Sequence, residues 1–336
     1  MNLETPTNTQ SVLNNKARAE YNQRLTVFDF ADLFGTTPEQ FSSGLLEKIA
    51  SFDFSYRPLT DIEYKHTVLD ILKRLDGGGF TRAGKEGKPR WDKGWQENLD
   101  SFVKSNFDVD KLVPRYIRPE QPVRLRQQYV MPRDPCFELN WYSVFRQWLF
   151  ETYAGAPSTI YEFGCGSGFN VAQLARMYPE KSIFGLDWTD ASVNIVNRFA
   201  SQFGWKTEGI KFDFFEPMQS LNFEPNSLVL TIGALEQTGT QFRPFLDYLL
   251  AKGPALCVHI EPIAEWYDNS KLEDYLGYRF HTIRNYWQGY VGCLMDLAKE
   301  GKIEIIKSKR AYFGSLYIEG YSQLIWRPLR KREQWN

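Results

Sequence analysis

The chain has 336 residues, 43% hydrophobic and 24% charged, the proportions of an ordinary folded protein and not of a disordered one. Its 40 Lys and Arg against 41 Asp and Glu leave a net charge of -1, which disfavours a protein held to duplex nucleic acid mainly through phosphates. Cys136, Cys165, Cys257 and Cys293 form no C-x-x-C pair, and no apolar run approaches the ~20 residues of a membrane span. The expectation is therefore a cytoplasmic chain with reduced thiols and no membrane span.

The first two dozen residues read as a polar arm. Thr37-Pro38-Glu39-Gln40 then carries an N-cap, a first-turn proline and a capping-box Gln, which predicts a helix with Phe41, Leu45, Ile49 and Phe52 inward. Thr60 to Glu63 repeats the capping pattern ahead of Val68, Leu69, Leu72 and Leu75, and Gly77-Gly78-Gly79 ends that helix. Residues 81–95 are basic and glycine-rich and carry Trp91 and Trp95. They read as a solvated loop or as a flap over an anionic or sugar substrate, with the next helix starting near Trp95.

The prolines between 113 and 135 exclude a long helix and mark a boundary. The division is an N-terminal helical domain with its connector over 1–125 and a second domain over 126–336. An amphipathic helix with Phe137, Trp141, Val144, Phe145 and Trp148 opens the latter. Strands are expected at 159–163, 182–186, 210–212, 228–232, 255–260, 302–307 and 321–326. Helices at 170–178, 191–203 and 242–249 alternate with them, and a long helix is expected from Tyr286 to Leu297. This rhythm predicts an α/β fold, doubly wound, with a mainly parallel seven-stranded sheet.

Between the first strand and its helix stands Glu162-Phe163-Gly164-Cys165-Gly166-Ser167-Gly168-Phe169. Glycines in this context let backbone amides approach a ligand closely. The dinucleotide pattern G-x-G-x-x-G would need glycine where Phe169 stands, which disfavours a nicotinamide oxidoreductase. E-x-G-x-G-x-G instead resembles the first motif of class I S-adenosylmethionine-dependent methyltransferases, and the likeness continues over roughly residues 158 to 330.

The resemblance implies S-adenosylmethionine as cofactor. Gly164, Gly166 and Gly168 would pass its methionine part, Glu162 would hold the loop, and Asp187 would accept the ribose hydroxyls. Trp188 would lie against the adenine, Asp213 and Phe214 would meet its amino group and face, and Glu236 would border the methyl donor. Gln237 stands where many relatives have histidine, so that role is missing. The absence of an Asp-Pro-Pro-aromatic segment after the fourth strand, and the place of Pro135-Cys136 upstream of the glycine loop, argue against nucleic-acid methylation.

A hydroxyl acceptor needs a base. His281, His259 and Glu261 are the candidates: the last two share a face near the C-terminal end of a strand, and His281 lies near Arg284 and Tyr286. With Tyr312, Glu319 and Tyr321, these last two are the candidate acceptor-binding residues. No spacing demands a metal, so none is expected. The whole chain is similar to bacterial sugar and polysaccharide O-methyltransferases, which implies a small-molecule or carbohydrate acceptor. A small-molecule N-methyltransferase and a non-catalytic cofactor-binding scaffold are the alternatives. The N-terminal helices would cover the pocket or form a homodimer.

Overall fold

A computed structural model describes residues 21–329; the polar arm expected before residue 21 lies outside them. In chain order the strands are β1 Gln23–Arg24, β2 Ser55–Pro58, β3 Val123–Leu125, β4 Gln128–Pro132, β5 Thr159–Phe163, β6 Ser182–Asp187, β7 Thr207–Lys211, β8 Ser227–Ile232, β9 Leu256–Glu261, β10 Ile303–Lys309, β11 Phe313–Gly314 and β12 Ser322–Pro328. The helices are α1 Val27–Phe34, α2 Ser43–Ser51, α3 Asp61–Asp76, α4 Lys88–Lys104, α5 Phe137–Tyr153, α6 Phe169–Met177, α7 Asp190–Phe203, α8 Arg243–Lys252, α9 Leu272–Arg284 and α10 Tyr290–Lys299.

The larger sheet has seven strands in the order β10-β12-β9-β8-β5-β6-β7. β5 through β9 pair in parallel, while β12 runs antiparallel to both neighbours. Every residue of β5 and β8 is buried, as expected of strands covered on both faces. Alternate residues sort to opposite sides of the sheet. Ile160, Leu228, Leu230, Val258 and Ile325 join one core with Trp141, Val171 and Phe199 of α5, α6 and α7. Tyr161, Val229, Cys257, Leu324 and Trp326 join another with Phe245 of α8 and Leu294 of α10. Period-two alternation thus supplies both faces from one run of apolar sequence.

The N-terminal region is not purely helical. A second sheet, β1-β2-β4-β3-β11, takes its last strand from near the C-terminus, where Phe313 pairs with Leu125. The expected division after residue 125 falls inside the turn of the β3–β4 hairpin, whose central residues Arg126 and Gln127 have φ of 50° and 61°. Two left-handed residues in a two-residue loop match the twist of the flanking strands.

Two helix boundaries differ from expectation for local reasons. Pro38–Gln40 makes a short 3-10 turn only, because Phe41 is extended and Ser42 caps a fresh helix, its hydroxyl accepting from the Leu45 amide at 3.1 Å. α4 begins at Lys88 with Pro89 in its first turn, so residues 88–95 are helix, not loop. The helix expected from Tyr286 to Leu297 starts only at Tyr290, as α10, and a helix not expected from the sequence, α9, precedes it. Asn285 caps α9 in the left-handed conformation, and Tyr286 and Trp287 lie in the connection.

Among the described residues no helix is long and apolar enough to cross a membrane. All four cysteines are free.

Candidate active site

The glycine loop follows β5 and enters α6. Gly164, Gly166 and Gly168 all have positive φ, at 70°, 53° and 71°, where a side chain is strained. A Cβ on Gly164 would come within 2.4 Å of the Ala234 side chain, and one on Gly166 within 2.7 Å of the Trp95 indole. The loop is therefore a close approach of backbone to its surroundings. Gly164 and Cys165 donate to the Leu186 carbonyl at 2.7 and 3.0 Å.

Asp187 ends β6 and ties the next strand to this loop. Its Oδ2 accepts from the Gly166 amide at 3.0 Å, and its Oδ1 from the Thr189 amide and hydroxyl, each at 2.9 Å. Burial pushes the carboxyl above its ordinary value, against the pull of the two amides. Glu162 lies under the loop, Oε1 accepting from Asn170 at 2.8 Å while Oε2 has no partner. Burial raises it to about 8. Asn170 also accepts from the Tyr142 hydroxyl at 2.8 Å and from Arg146 at 3.2 Å, so Glu162 holds the loop through a polar chain.

Two openings meet above the C-terminal edges of the parallel strands, the edge where open α/β sheets place ligands. The narrow one has about 60 Å³ of free space, and Gly164, Asp187, Trp188, Phe214 and Ala234 line it with Trp91 and Trp95 of α4. Asp213 does not line it; its Oδ1 accepts from the Phe215 amide at 2.8 Å. Trp91 and Trp95 stack at 5.3 Å between centroids. The wide one has about 500 Å³, within the range of small-molecule sites. Gly233, Gln237 and Trp91 line both, so they mark the junction.

Glu236 lines the wide cavity and not the narrow cleft. It is buried, its Oε1 accepts from Gln237 at 2.7 Å, and its Oε2 has no partner among the described residues. Glu261 is directly behind it, accepting from the amides of Ala234, Leu235 and Glu236 at 3.0, 3.2 and 3.4 Å. Burial and then the Glu236 charge push Glu261 well above the carboxylate range. Glu261 thus shapes the turn after β8 and lines neither opening.

Both candidate histidines are buried away from the two openings. His259 is fully buried, its Nδ1 2.9 Å from the Thr231 hydroxyl and its Nε2 3.1 Å from the Tyr290 hydroxyl. Its side chain projects to the α8/α10 face, as Cys257 two residues before it does, with Trp287 and Tyr290 against its ring. His281 is buried with both nitrogens unpartnered, its ring edge-on to Tyr267 and Tyr286 at 5.6 and 5.5 Å. Burial lowers each imidazole to about 3, and neither lines an opening.

Arg284, Tyr286 and Tyr321 line the wide cavity. Tyr312 and Glu319 do not. Glu319 belongs to a buried ionic cluster: it pairs with Arg310 at 2.6 Å and Arg124 at 3.7 Å, and Asp274 pairs with the same two arginines at 2.6 and 3.0 Å. Tyr312 stacks under the Arg310 guanidinium at 4.6 Å. Sequence reasoning missed Tyr116, Glu138, Tyr142, Arg90 and Arg118 as cavity residues. Pro89 at the head of α4 was the one available signal, since it would have placed Arg90, Trp91 and Trp95 on a helix.

No family model matches the sequence, and no curated protein matches it. Several solved structures resemble it distantly. A small RNA methyltransferase is 18% identical, with 57% of this chain and 26% of that chain covered and a TM-score of 0.43. A SAM-dependent methyltransferase from Aquifex aeolicus is 16% identical, covering 54% and 88%, with a TM-score of 0.35. The plantazolicin methyltransferase BpumL, in complex with a substrate analogue and SAH, is 12% identical, covering 55% and 81%, with a TM-score of 0.37. The chain spans about a quarter of the first of these. Likenesses this distant assign neither cofactor nor acceptor.

The sheet order itself is the stronger observation. The fold is doubly wound and Rossmann-like.

Proposed function

We propose that the protein transfers a methyl group from S-adenosylmethionine to a hydroxyl of a small molecule or sugar lodged in the wide cavity. One observation carries the reading: a left-handed glycine loop, tied to a strand-end aspartate, opens through Gly233 and Gln237 into a cavity with an unpartnered carboxylate oxygen. The residues fit the cofactor chemically. Asp187 offers a fixed carboxylate for vicinal hydroxyls, Trp188 and Phe214 offer flat faces for a purine, and Glu162 keeps one buried acceptor free. Trp91 and Trp95 line the same cleft as Asp187, Trp188 and Phe214.

When bound, the cofactor supplies an electrophilic methyl group on a sulfonium. The chain's own part is to aim an acceptor oxygen at it through the junction and to remove the acceptor's proton. Glu236 Oε2 is placed to take that proton, and Glu261 behind it fixes the turn that carries Glu236. Buried Tyr142, Tyr286 and Tyr321 line the same cavity and exclude water from it. Positioning of this kind supplies much of the acceleration in a displacement reaction. The arginines of the cavity support a hydroxyl acceptor over a cationic amine, which they would repel.

Calorimetric titration with S-adenosylmethionine, S-adenosylhomocysteine and NAD tests the cofactor. Binding of the first two alone supports the reading. Binding of NAD alone overturns it. With cofactor binding established, transfer of labelled methyl groups to hydroxylated acceptors in a sugar and small-molecule panel tests the reaction. Donor binding with no transfer to any of them would favour a cofactor-binding scaffold.

A further inference from the structure

Four arginines line the wide cavity: Arg74, Arg90, Arg118 and Arg284. None of them forms an ion pair with a carboxylate among the described residues, in contrast to Arg124, Arg126, Arg133, Arg243, Arg310 and Arg327, which all do. Arg284 is the most telling. Its residue is only 3% exposed, and its guanidinium donates to the Thr81 carbonyl and to the Tyr286 hydroxyl at 3.3 Å, both neutral. Its cation also rests against the Tyr286 ring at 5.0 Å. A buried guanidinium without a counter-charge is costly unless something anionic completes it.

Arg90 and Arg118 come from two other segments, the first turn of α4 and the proline-rich connector. Both line the same cavity as Arg284, and burial and then the charges of Arg284 and Arg118 lower the Arg90 guanidinium below its ordinary value. Three like charges from three segments repel one another, and each planar fork suits an oxyanion. Glu138 and Glu236 are buried in the same cavity, 6% and 4% exposed, while Arg74, Arg90, Arg118 and the acid Asp70 are exposed. The exposed part of the lining thus carries three arginines against one carboxylate.

We infer that Arg284, Arg90 and Arg118 form an oxyanion-binding cluster, and that the methyl acceptor carries a phosphate or carboxylate group there while its hydroxyl points to Glu236. The part concerning the acceptor rests on the function proposed above; the anion cluster itself does not. An anion held there neutralises the arginines and orients the rest of the molecule toward Glu236 and the junction with the cofactor cleft.

The test uses the full chain titrated with sodium phosphate and, separately, sodium acetate, against chloride at constant ionic strength, with S-adenosylmethionine titrated in parallel. Phosphate, acetate or both should bind at least tenfold tighter than chloride, and the preferred anion identifies the group the acceptor carries. Arg118→Gln, an exposed position that threatens folding little, should weaken that binding about tenfold. Arg284→Gln should do the same, provided its melting curve is intact. Anion binding unchanged in Arg118→Gln, or no preference over chloride, overturns the cluster. Cofactor binding with silent anions sinks this inference and leaves the methyltransferase reading standing. Anion binding without cofactor binding does the reverse for the cluster and that reading.

Discussion

The indole of Trp95 lies on the backbone of Gly166, so close that a Cβ at the glycine would meet ring atom Cζ2 at 2.7 Å. A helix from the N-terminal region thus closes over the loop that the β5–α6 turn presents. Helix α4 packs on α7 through Phe102 and Phe199, whose rings are 5.7 Å apart, so its far end is anchored. Trp95→Ala should raise the association rate for S-adenosylmethionine several-fold by opening the cleft, read by stopped-flow fluorescence. An unchanged rate would mean that entry does not pass this ring. Gly166→Ala should instead lower affinity at least tenfold, since φ of 53° strains an L-residue by about 1–2 kcal/mol and the methyl group has no room.

Asp187 makes the strand end and the glycine loop one unit. Asp187→Ala should abolish detectable cofactor binding and lower stability by about 1–3 kcal/mol, the cost of leaving the Gly166 and Thr189 amides without acceptors. Denaturant melts with and without S-adenosylmethionine check both parts. Wild-type affinity in this variant would remove Asp187 from the binding site.

Glu236→Gln should reduce kcat by about 10²–10⁴ while leaving cofactor affinity near the wild-type value. A base acts only when deprotonated, so activity should fall on the acid side of the profile, and Glu236→Gln should lose that limb. His281→Phe should keep both the profile and kcat, because a buried imidazole held to about 3 is neutral throughout and out of reach.

Burial raises Glu162 from 4.5 to about 8 and Glu138 to about 7. The folded state then binds protons that the unfolded state has released. These groups contribute stability that is fully present below about 4.5 and is lost as pH rises through 7 to 8. Glu162→Gln should melt progressively higher relative to wild type between pH 5 and 9, read by calorimetric melting temperature. A constant difference across that range would show that Glu162 does not titrate there.

Arg124 is completely buried and donates to Asp274 at 3.0 Å and to the Glu273 carbonyl at 2.8 Å. It joins β3, α9 and the segment around Glu319. Arg124→Met should cost about 3–5 kcal/mol by leaving Asp274 and Glu319 short of a counter-charge, with no change in cofactor affinity beyond that due to unfolding. Denaturation midpoints and calorimetry separate the two.

The sequence by itself determined the doubly wound sheet and the position of its glycine loop. Both are local matters: alternating apolar residues in 159–163, 228–232 and 255–260 demand strands buried on both faces, and three alternating glycines after a strand demand a left-handed turn. Helix caps such as Thr60 with Glu63 were legible for the same reason, since partner and cap lie three residues apart.

What could not be read was which side chains converge from distant segments. His259 and Glu261 are two apart, yet one is sealed between Thr231 and Tyr290 and the other caps a turn, because their partners come from β8, α10 and the turn after β8. Glu319 and Glu236 are both buried carboxylates near the C-terminal edge of the fold, but only one has arginines beside it in an ion-paired cluster. The wide cavity draws on residues from Thr67 to Tyr321. Spacing along the chain carries no information about such a convergence. Only the packing of α4, the connector and α9 over the sheet edge decided that Trp91 lines the cleft and that Arg90, Arg118 and Arg284 share one cavity.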